Sequence, residues 1–146
     1  MIKLKTIYPD EKKIFLEMAI RYFKELNPQF HPQKFWTVNY FTKLYSNPDI
    51  FLKWVMKEKN PIGFAIYGIV NHLYLDKKIG NIHEFYIVLT ERRQGNAKSA
   101  AHLLIKELRE YNPAKIQLEI VEGNEDAQQF WLSIGFSYST RKYTLG

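Results

Sequence analysis

The segment that most constrains the fold of this chain is a loop of small and basic residues between a strand-like run and a helix-like run. Residues 91–98 read Glu-Arg-Arg-Gln-Gly-Asn-Ala-Lys; an apolar run from Phe85 to Leu89 precedes them, and a helical pattern spans Ala97 to Glu110. The first N–H groups of a helix lack intrahelical partners, and the helix dipole is positive at that end. A strand, a short loop and a helix N-terminus in this order predict an anion site.

The residues of this loop suit a phosphate group. Gly95 lacks a Cβ, so it can take a positive φ or let a ligand approach the backbone closely. Arg92, Arg93 and Lys98 add positive charge around the same point. Neither common phosphate loop, G-x-x-x-x-G-K-S/T or G-x-G-x-x-G, occurs in the chain. The sequence therefore predicts a phosphate cradle of another kind.

Two motifs in this region carry a family resemblance. Residues 92–97 read R-x-x-G-x-A and resemble the pyrophosphate-binding motif of the GNAT superfamily of N-acetyltransferases, R/Q-x-x-G-x-G/A. Residues 124–136 resemble the family's later signature, N-x-x-A-x-x-F/L-Y/W-x-x-x-G-F. Between them, Ile116 to Ile120 alternates like the strand that splays in this family to admit the cofactor. The resemblance covers residues 82–136 and implies an acetyl-CoA-dependent N-acetyltransferase.

The order of the expected elements agrees with such a domain. A strand and two helices precede three strands joined by short turns; the phosphate-loop helix, a strand, a helix and two short C-terminal strands follow. We therefore expect a GNAT fold of the mixed α/β class, with a mostly antiparallel sheet, one parallel strand pair around the phosphate-loop helix, and flanking helices. The first two helices are expected at 10–26 and 33–45, and the main strands at 2–7, 51–57, 62–75, 79–89 and 116–120.

Length and composition favour a single domain, residues 1–146, because 146 residues with 46% apolar content can form one core and are few for two. The chain has no cysteine, which excludes disulfides and thiolate catalysis, and we expect no metal. Without an apolar N-terminal segment or a membrane-length run, the protein is expected to be soluble and cytoplasmic. The net charge of +6 favours an anionic partner, although the basic residues are scattered as on an ordinary solvated surface.

The strand before the loop contains the candidate general base. By alternation, Glu84 shares a face with Ile82 and Tyr86, where a buried carboxylate needs partners or a catalytic role. The resemblance implies that an acidic residue near this position removes a proton from the acceptor amine, which has an unperturbed pKa of about 10.4. Glu84 is therefore either the base or a glutamate hydrogen-bonded across the sheet. His83, on the opposite face, is interpreted as structural.

The resemblance also assigns the residues that hold the cofactor. The backbone of Tyr86, Ile87 and Val88 is expected to contact the pantetheine arm, and an N–H of Ile87 or Val88 to stabilise the thioester oxyanion. Asn124 is expected to contact pantetheine as well as to cap the following helix. The complete set of expected cofactor-binding residues is Tyr86, Ile87, Val88, Arg92, Arg93, Gln94, Gly95, Asn96, Ala97, Lys98, Asn124 and Phe130.

Trp131 departs from the family pattern. Many members have a tyrosine there, which protonates the leaving thiolate, and an indole N–H cannot serve as that acid. Tyr143, Tyr138 or water are the alternatives, and Tyr143 is the candidate acid. Trp131 itself is expected to pack in a core stripe of the 124–136 helix.

The acceptor is an amine of a small molecule or of a peptide or protein, and the resemblance places it near residues 27–36 and 137–143. Aromatic residues there either line a pocket or belong to the core; they are Tyr22, Phe30, His31, Phe35, Trp36 and Tyr40. Two other functions stay open: a non-catalytic acyl-CoA-binding or regulatory module, suggested by Trp131, and a nucleic-acid-binding domain, suggested by charge alone. No nucleic-acid or membrane partner is expected, and a homodimer is possible in this family.

Overall fold

The computed structural model describes residues 1–74, 76–139 and 143–146. Within them the helices are α1 (Lys12–Leu26), α2 (Lys34–Tyr45), α3 (Asn96–Arg109) and α4 (Glu125–Ile134). The strands are β1 (Ile2–Thr6), β2 (Ile50–Lys57), β3 (Asn60–Asn71), β4 (Lys78–Ile87) and β5 (Lys115–Leu118). Short 3-10 helices occupy Pro9–Glu11 and Leu89–Glu91.

Local sequence explains where the helices end. α1 ends at Leu26, since the next residue, Asn27, precedes a proline and is extended at φ −145°. α4 ends at Gly135, which has φ +122°, a conformation that glycine adopts without a Cβ penalty. The end of α1 agrees with the sequence prediction.

One five-stranded sheet has the order β1-β2-β3-β4-β5. The first four strands are antiparallel neighbours, whereas β4 and β5 are parallel. A parallel pair needs a long crossover connection, and α3 provides it. The predicted fold class and the parallel pair around the phosphate-loop helix are confirmed.

Helices cover both faces of the sheet. α1 and α2 pack on one face, around Phe15, Trp54 and Phe64. α3 and α4 pack on the other, around Tyr67, Leu104 and Trp131. The sheet therefore separates two cores, and the residues of β4 alternate between them.

A bulge in β4 corrects one expectation about this alternation. Ile66 pairs with Glu84 and Tyr67 pairs with Ile82, so His83 is an extra residue in β4. Ile82 packs in the α3–α4 core, whereas Tyr86 packs in the α1–α2 core. Glu84 therefore shares a face with Tyr86 but not with Ile82.

The expected C-terminal strands are not found in the described part of the chain. Residues 135–139 and 143–146 form no strand, and residues 140–142 lie outside the described residues. A strand forms only where it can pair with a neighbouring strand. At this edge of the sheet the neighbour would be β5, which is four residues long and offers few backbone partners. The third predicted strand is also shorter at its end, since β3 stops at Asn71, and Leu75 is outside the described residues.

Candidate cofactor and active site

β4 and β5 diverge where the predicted site begins. Their parallel register runs from Ile79 opposite Lys115 to Ile82 opposite Leu118. β4 continues to Ile87 after β5 has ended. A cavity of about 360 Å³ opens at this fork, with walls from α1, β4, the chain after β5 and α4. The fork offers a slot in which a ligand can reach the backbone of β4.

The backbone of β4 presents alternate residues to this slot. Val88 N–H donates to Ile62 O at 2.8 Å, so Val88 faces β3, and Val88 O accepts the N–H of Glu91 at 3.0 Å. Backbone groups of successive strand residues point to opposite neighbours, so Ile87 faces the slot and Tyr86 faces β3. Of the two expected oxyanion donors, Ile87 and Val88, Val88 uses its N–H within the sheet, so Ile87 is the one that faces the slot, and its role stays a prediction.

The phosphate loop has the geometry of an anion cradle. Gly95 is the residue before α3 and has φ +81°. The first backbone hydrogen bond of α3 is Ser99 N–H to Gly95 O at 3.0 Å. The N–H groups of Asn96, Ala97 and Lys98 precede that bond and point out of the helix end. A Cβ built on Gly95 meets no atom within 4 Å, so the space in front of the loop is open.

Arg92 is held by the protein and does not extend from the loop. Its Nε donates to Ile87 O at 2.8 Å, and its terminal nitrogen donates to the Glu25 carboxylate at 2.7 Å. The guanidinium also lies over the Tyr86 ring, 5.5 Å from the centroid. Tyr86 Oη donates to the other oxygen of Glu25 at 2.7 Å. Burial, followed by the Glu25 contact, raises the pKa of Tyr86 to about 12.

Other polar side chains hold the loop through hydrogen bonds to its backbone and to each other. The buried Asn96 amide donates to Glu91 O at 3.0 Å, and the Gln94 amide donates to Thr90 O at 3.2 Å. Lys57 contacts the Glu91 carboxylate at 3.1 Å and Gln94 Oε1 at 3.3 Å. The side chains of Asn96 and Gln94 therefore shape the loop. Arg93, at φ +61°, and Lys98 are exposed and remain available to an anion.

Glu84 lies at the fork and has a partly buried partner in α1. Its carboxylate accepts a hydrogen bond from Tyr22 Oη of α1. Burial raises the pKa of Glu84, and the Tyr22 hydrogen bond acts against that rise. Burial and the negative charge of Glu84 raise the pKa of Tyr22, so the phenol stays protonated as a donor. The pair can accept and hold a proton at the wall of the cavity.

His83 also lines the cavity, at the bulge. The His83 residue is exposed overall, but its imidazole is partly shielded from water, and this shielding lowers its pKa. It is therefore an uncharged imidazole at neutral pH. Its interpretation as structural stays a prediction.

α4 closes the opposite wall. The Asn124 side chain accepts the N–H of Ala127 at 3.1 Å, which confirms its capping role, and Asn124 also lines the cavity. Phe130 stacks on Phe85, with ring centroids 5.8 Å apart. Trp131 is 7% exposed and packs edge-on against Phe85, Phe130 and Phe136, which confirms its place in the core.

Tyr143 is 86% exposed, and Tyr138 is 82% exposed. Neither is among the described residues that line the cavity. The assignment of Tyr143 as the acid stays a prediction without a structural contact to support it.

The aromatic residues of α1 and α2 mostly pack on one another. Trp36 stacks on Tyr40 at 4.7 Å, and Phe30 contacts Trp36 at 5.4 Å. Tyr40 stacks on the buried Phe15 at 6.1 Å. Phe35 is 68% exposed and lies outside this cluster. The core interpretation therefore holds for Trp36 and Tyr40, while Tyr22 alone of the six lines the cavity.

Sequence reasoning missed four residues of this site: Tyr22 as the partner of Glu84, Glu25, Lys57 and the backbone of Phe85 at the slot. Glu25 and Arg92 are 67 residues apart, and Tyr22 and Glu84 are 62 apart, so no local spacing relates them. Among the described residues, no group of three histidine, cysteine or acidic side chains could hold a metal, and no helix is long and apolar enough to cross a membrane.

A comparison with sequence families identifies residues 12–136 as a match to the acetyltransferase (GNAT) family. The chain belongs to this family. A search of curated proteins finds no match. The fork between β4 and β5 and the loop before α3 thus occupy the region that the family match covers.

Solved structures agree with the GNAT fold. A transcriptional regulator from Bacillus halodurans C-125 superposes with a TM-score of 0.81 at 15% identity, over 100% of this chain and 99% of that one. A ribosomal-protein-alanine N-acetyltransferase from Brucella melitensis biovar Abortus 2308 gives 0.77 at 15% identity, over 100% and 99%. An aminoglycoside N-acetyltransferase in complex with CoA gives 0.77 at 13% identity, over 100% and 94%. At these identities the likeness shows the fold of this GNAT protein.

Proposed function

We propose that this protein is an N-acetyltransferase that transfers an acetyl group from acetyl-CoA to a primary amine, by direct attack of the amine within a ternary complex. The observation that carries the proposal is the arrangement along one strand. Glu84 lies at the start of the β4–β5 fork, and the open N-terminus of α3 follows the end of β4. The carboxylate lines the cavity at the fork, and the proposed anion cradle follows the end of the same strand.

The residues of the cradle fit the diphosphate of acetyl-CoA. The backbone N–H groups of Asn96, Ala97 and Lys98 and the open space at Gly95 accept an anion without a change of the loop. Arg93 and Lys98 supply exposed charge. The pantetheine arm then lies in the fork, against the slot-facing backbone of Phe85 and Ile87, and Asn124 borders it. When bound, acetyl-CoA supplies an activated acyl group on a thioester.

Glu84 is the proposed general base. An alkylammonium has a pKa of about 10.4 and cannot attack a carbonyl until it loses a proton. The Glu84 carboxylate lies in the cavity wall, and burial raises its pKa toward the range in which a base is effective. The alkylammonium first gives a proton to Glu84, directly or through water, and the free amine then attacks the acetyl carbonyl. The C–S bond breaks as the thiolate leaves, and the second nitrogen proton passes to the thiolate or to water. Ile87 N–H faces the slot and can donate to the developing oxyanion.

Departure of the thiolate needs no acid from α4. Trp131 is buried and has only an N–H to donate, and the exposed Tyr143 does not line the cavity. A thiolate, with a conjugate-acid pKa of about 8.5, leaves without protonation more easily than an alkoxide. Tyr143 as the acid stays a prediction. No cysteine is present to carry an acyl intermediate, which supports direct attack.

The acceptor is proposed to be a small-molecule amine or the amine of a peptide. It enters from the α1 side, where Tyr22, Phe23 and Leu26 line the cavity. Two structural neighbours are aminoglycoside acetyltransferases, which favours a small-molecule acceptor. Action in the cytoplasm and assembly as a homodimer stay predictions.

A second candidate is a non-catalytic acyl-CoA-binding or regulatory module. Trp131, in a position where many relatives carry tyrosine, favours it, and one structural neighbour is a transcriptional regulator. This candidate predicts acetyl-CoA binding without turnover.

The test is an amine panel with acetyl-CoA, followed by thiol release and by mass spectrometry of the products. N-acetylation of at least one amine supports the transferase. Binding of acetyl-CoA without thiol release across the panel supports the module, and absence of binding refutes both.

A further inference from the structure

Glu84 is the one carboxylate whose ionisation the proposed reaction depends on, and its surroundings determine that ionisation. The side chain is half-buried on the α1–α2 face of the sheet. A carboxylate removed from water without a partner reverts to its neutral acid, which cannot accept a proton from an amine. Something in the fold must therefore hold Glu84 as a carboxylate and aim it at the cavity.

Tyr22 makes the one side-chain hydrogen bond to Glu84 found in the described part of the chain. Its phenol is fixed from several sides. The ring packs edge-on against Phe64 at 5.6 Å and makes tilted contacts with Tyr86 at 5.3 Å and Phe23 at 5.0 Å. A hydroxyl on a ring held this firmly is a donor at a fixed position, so little rotamer entropy is lost when it bonds the carboxylate.

The other charged and titratable groups around Glu84 do not replace this donor. From α2, Tyr40 makes no hydrogen bond to Glu84; burial and the negative charge of Glu84 raise the pKa of its phenol. From α1, Glu25 is bound to Arg92 and Tyr86. In β4, His83 lies at the bulge, and Glu119 after β5 lines the same cavity. None of these groups donates a hydrogen bond to Glu84 among the described residues, and burial opposes its charged form.

We propose that Tyr22 is a positioning residue for Glu84, which fixes the carboxylate at the fork in its ionised form. The proposal rests on the proposed acetyl transfer for its catalytic meaning. The hydrogen bond from Tyr22 to Glu84, however, can be tested without any substrate. A phenol donates a stronger hydrogen bond to a carboxylate than to the neutral acid, so the effect of Tyr22 is to stabilise the ionised form against burial.

The first test is a carbon-13 NMR titration of the Glu84 carboxyl carbon in the wild type and in Tyr22→Phe, with Glu84→Gln used to assign the signal. Tyr22→Phe keeps the ring and removes the donor. We expect Glu84 to titrate about one pH unit higher in this variant, the usual effect of one hydrogen bond to a charged group. Tyr40→Phe is the matched control, since it removes a nearby, partly buried phenol that makes no hydrogen bond to Glu84, and it should leave the titration almost unchanged.

The second test uses the reaction itself. If an amine substrate is found, the acidic limb of the kcat/KM profile should move up by the same amount in Tyr22→Phe, while the Kd for acetyl-CoA stays unchanged. A lower rate with an unmoved limb would mean a structural role only and would overturn the proposal.

The reciprocal measurement covers the case in which Tyr22→Phe does not fold. Burial, followed by the charge of Glu84 and the hydrogen bond to it, raises the pKa of Tyr22, so Glu84→Gln should lower the pH at which the Tyr22 ring ionises. An equal ionisation pH in both proteins would overturn the proposal. A shifted Glu84 titration in a protein that acetylates no amine would instead leave the pair intact and refute the proposed function.

Discussion

The phosphate cradle makes a quantitative prediction for the substitution Gly95→Glu. A Cβ at this position meets no atom within 4 Å, so the side chain fits in the free protein and projects into the open space. The backbone φ of +81° costs any residue with a Cβ about 1–2 kcal/mol, and this strain falls on the loop whether or not a ligand is bound. Strain alone therefore changes folding stability more than affinity.

The added charge acts on affinity. A carboxylate ~6 Å from a phosphate charge, with an effective dielectric constant of ~40, repels it by about 1.4 kcal/mol, which is about tenfold in Kd. Two charges of a diphosphate then give about a hundredfold loss at low salt, and the loss should shrink as added salt screens the exposed charges.

The assay is calorimetric titration of acetyl-CoA into the wild type, Gly95→Glu and Gly95→Gln. The glutamine variant has the same size and the same backbone strain without the charge, so its Kd should stay within about tenfold of the wild type. Circular dichroism melting checks that both variants fold. Equal losses in the two variants, or no loss in either, would refute the placement of the diphosphate at this helix end.

Three further predictions concern Glu84 and the sheet. Glu84→Gln should lower kcat/KM by about 10²–10⁴ while the Kd for acetyl-CoA is unchanged, measured by initial rates and calorimetry; retained turnover would exclude Glu84 as the base. The same variant should melt at a higher temperature than the wild type at pH 8, because the raised pKa of Glu84 means that its charged form is destabilised in the folded protein. The gain in melting temperature should vanish as the pH falls through that pKa. A gain that does not depend on pH would contradict this prediction. Gly63→Ala should destabilise the protein by about 2–3 kcal/mol, a fall in Tm of about 10 °C, because its Cβ would lie 1.9 Å from Tyr86 O; an unchanged Tm would show that β3 and β4 can separate at no cost.

The sequence predicted well those features that depend on neighbours along the chain. The loop from Arg92 to Lys98 is such a feature, because glycine, the helix start and the preceding strand are all local. The capping role of Asn124 and the apolar stripe of α4 also follow from local spacing. The crossover from β4 through α3 to β5 then fixes the parallel pair.

Features that depend on a distant partner were predicted poorly. The bulge at His83 arises from the register with β3, and it moves Ile82 to the other face from Glu84. The backbone of Val88 is used by Ile62, a residue that no motif indicates. Arg92 is turned toward Glu25 of α1, where its charge is neutralised. In each case the sequence identifies the residue type, whereas the partner is set by the tertiary fold.

The most direct test of the central claim is a crystal structure of the protein with bound CoA. We expect the pantetheine arm between β4 and β5, along the slot-facing backbone of Ile87, and the diphosphate on the N–H groups of Asn96 to Lys98. We also expect the thiol end in the cavity beside Glu84. A CoA molecule bound elsewhere, with the fork between β4 and β5 empty, would contradict the claim.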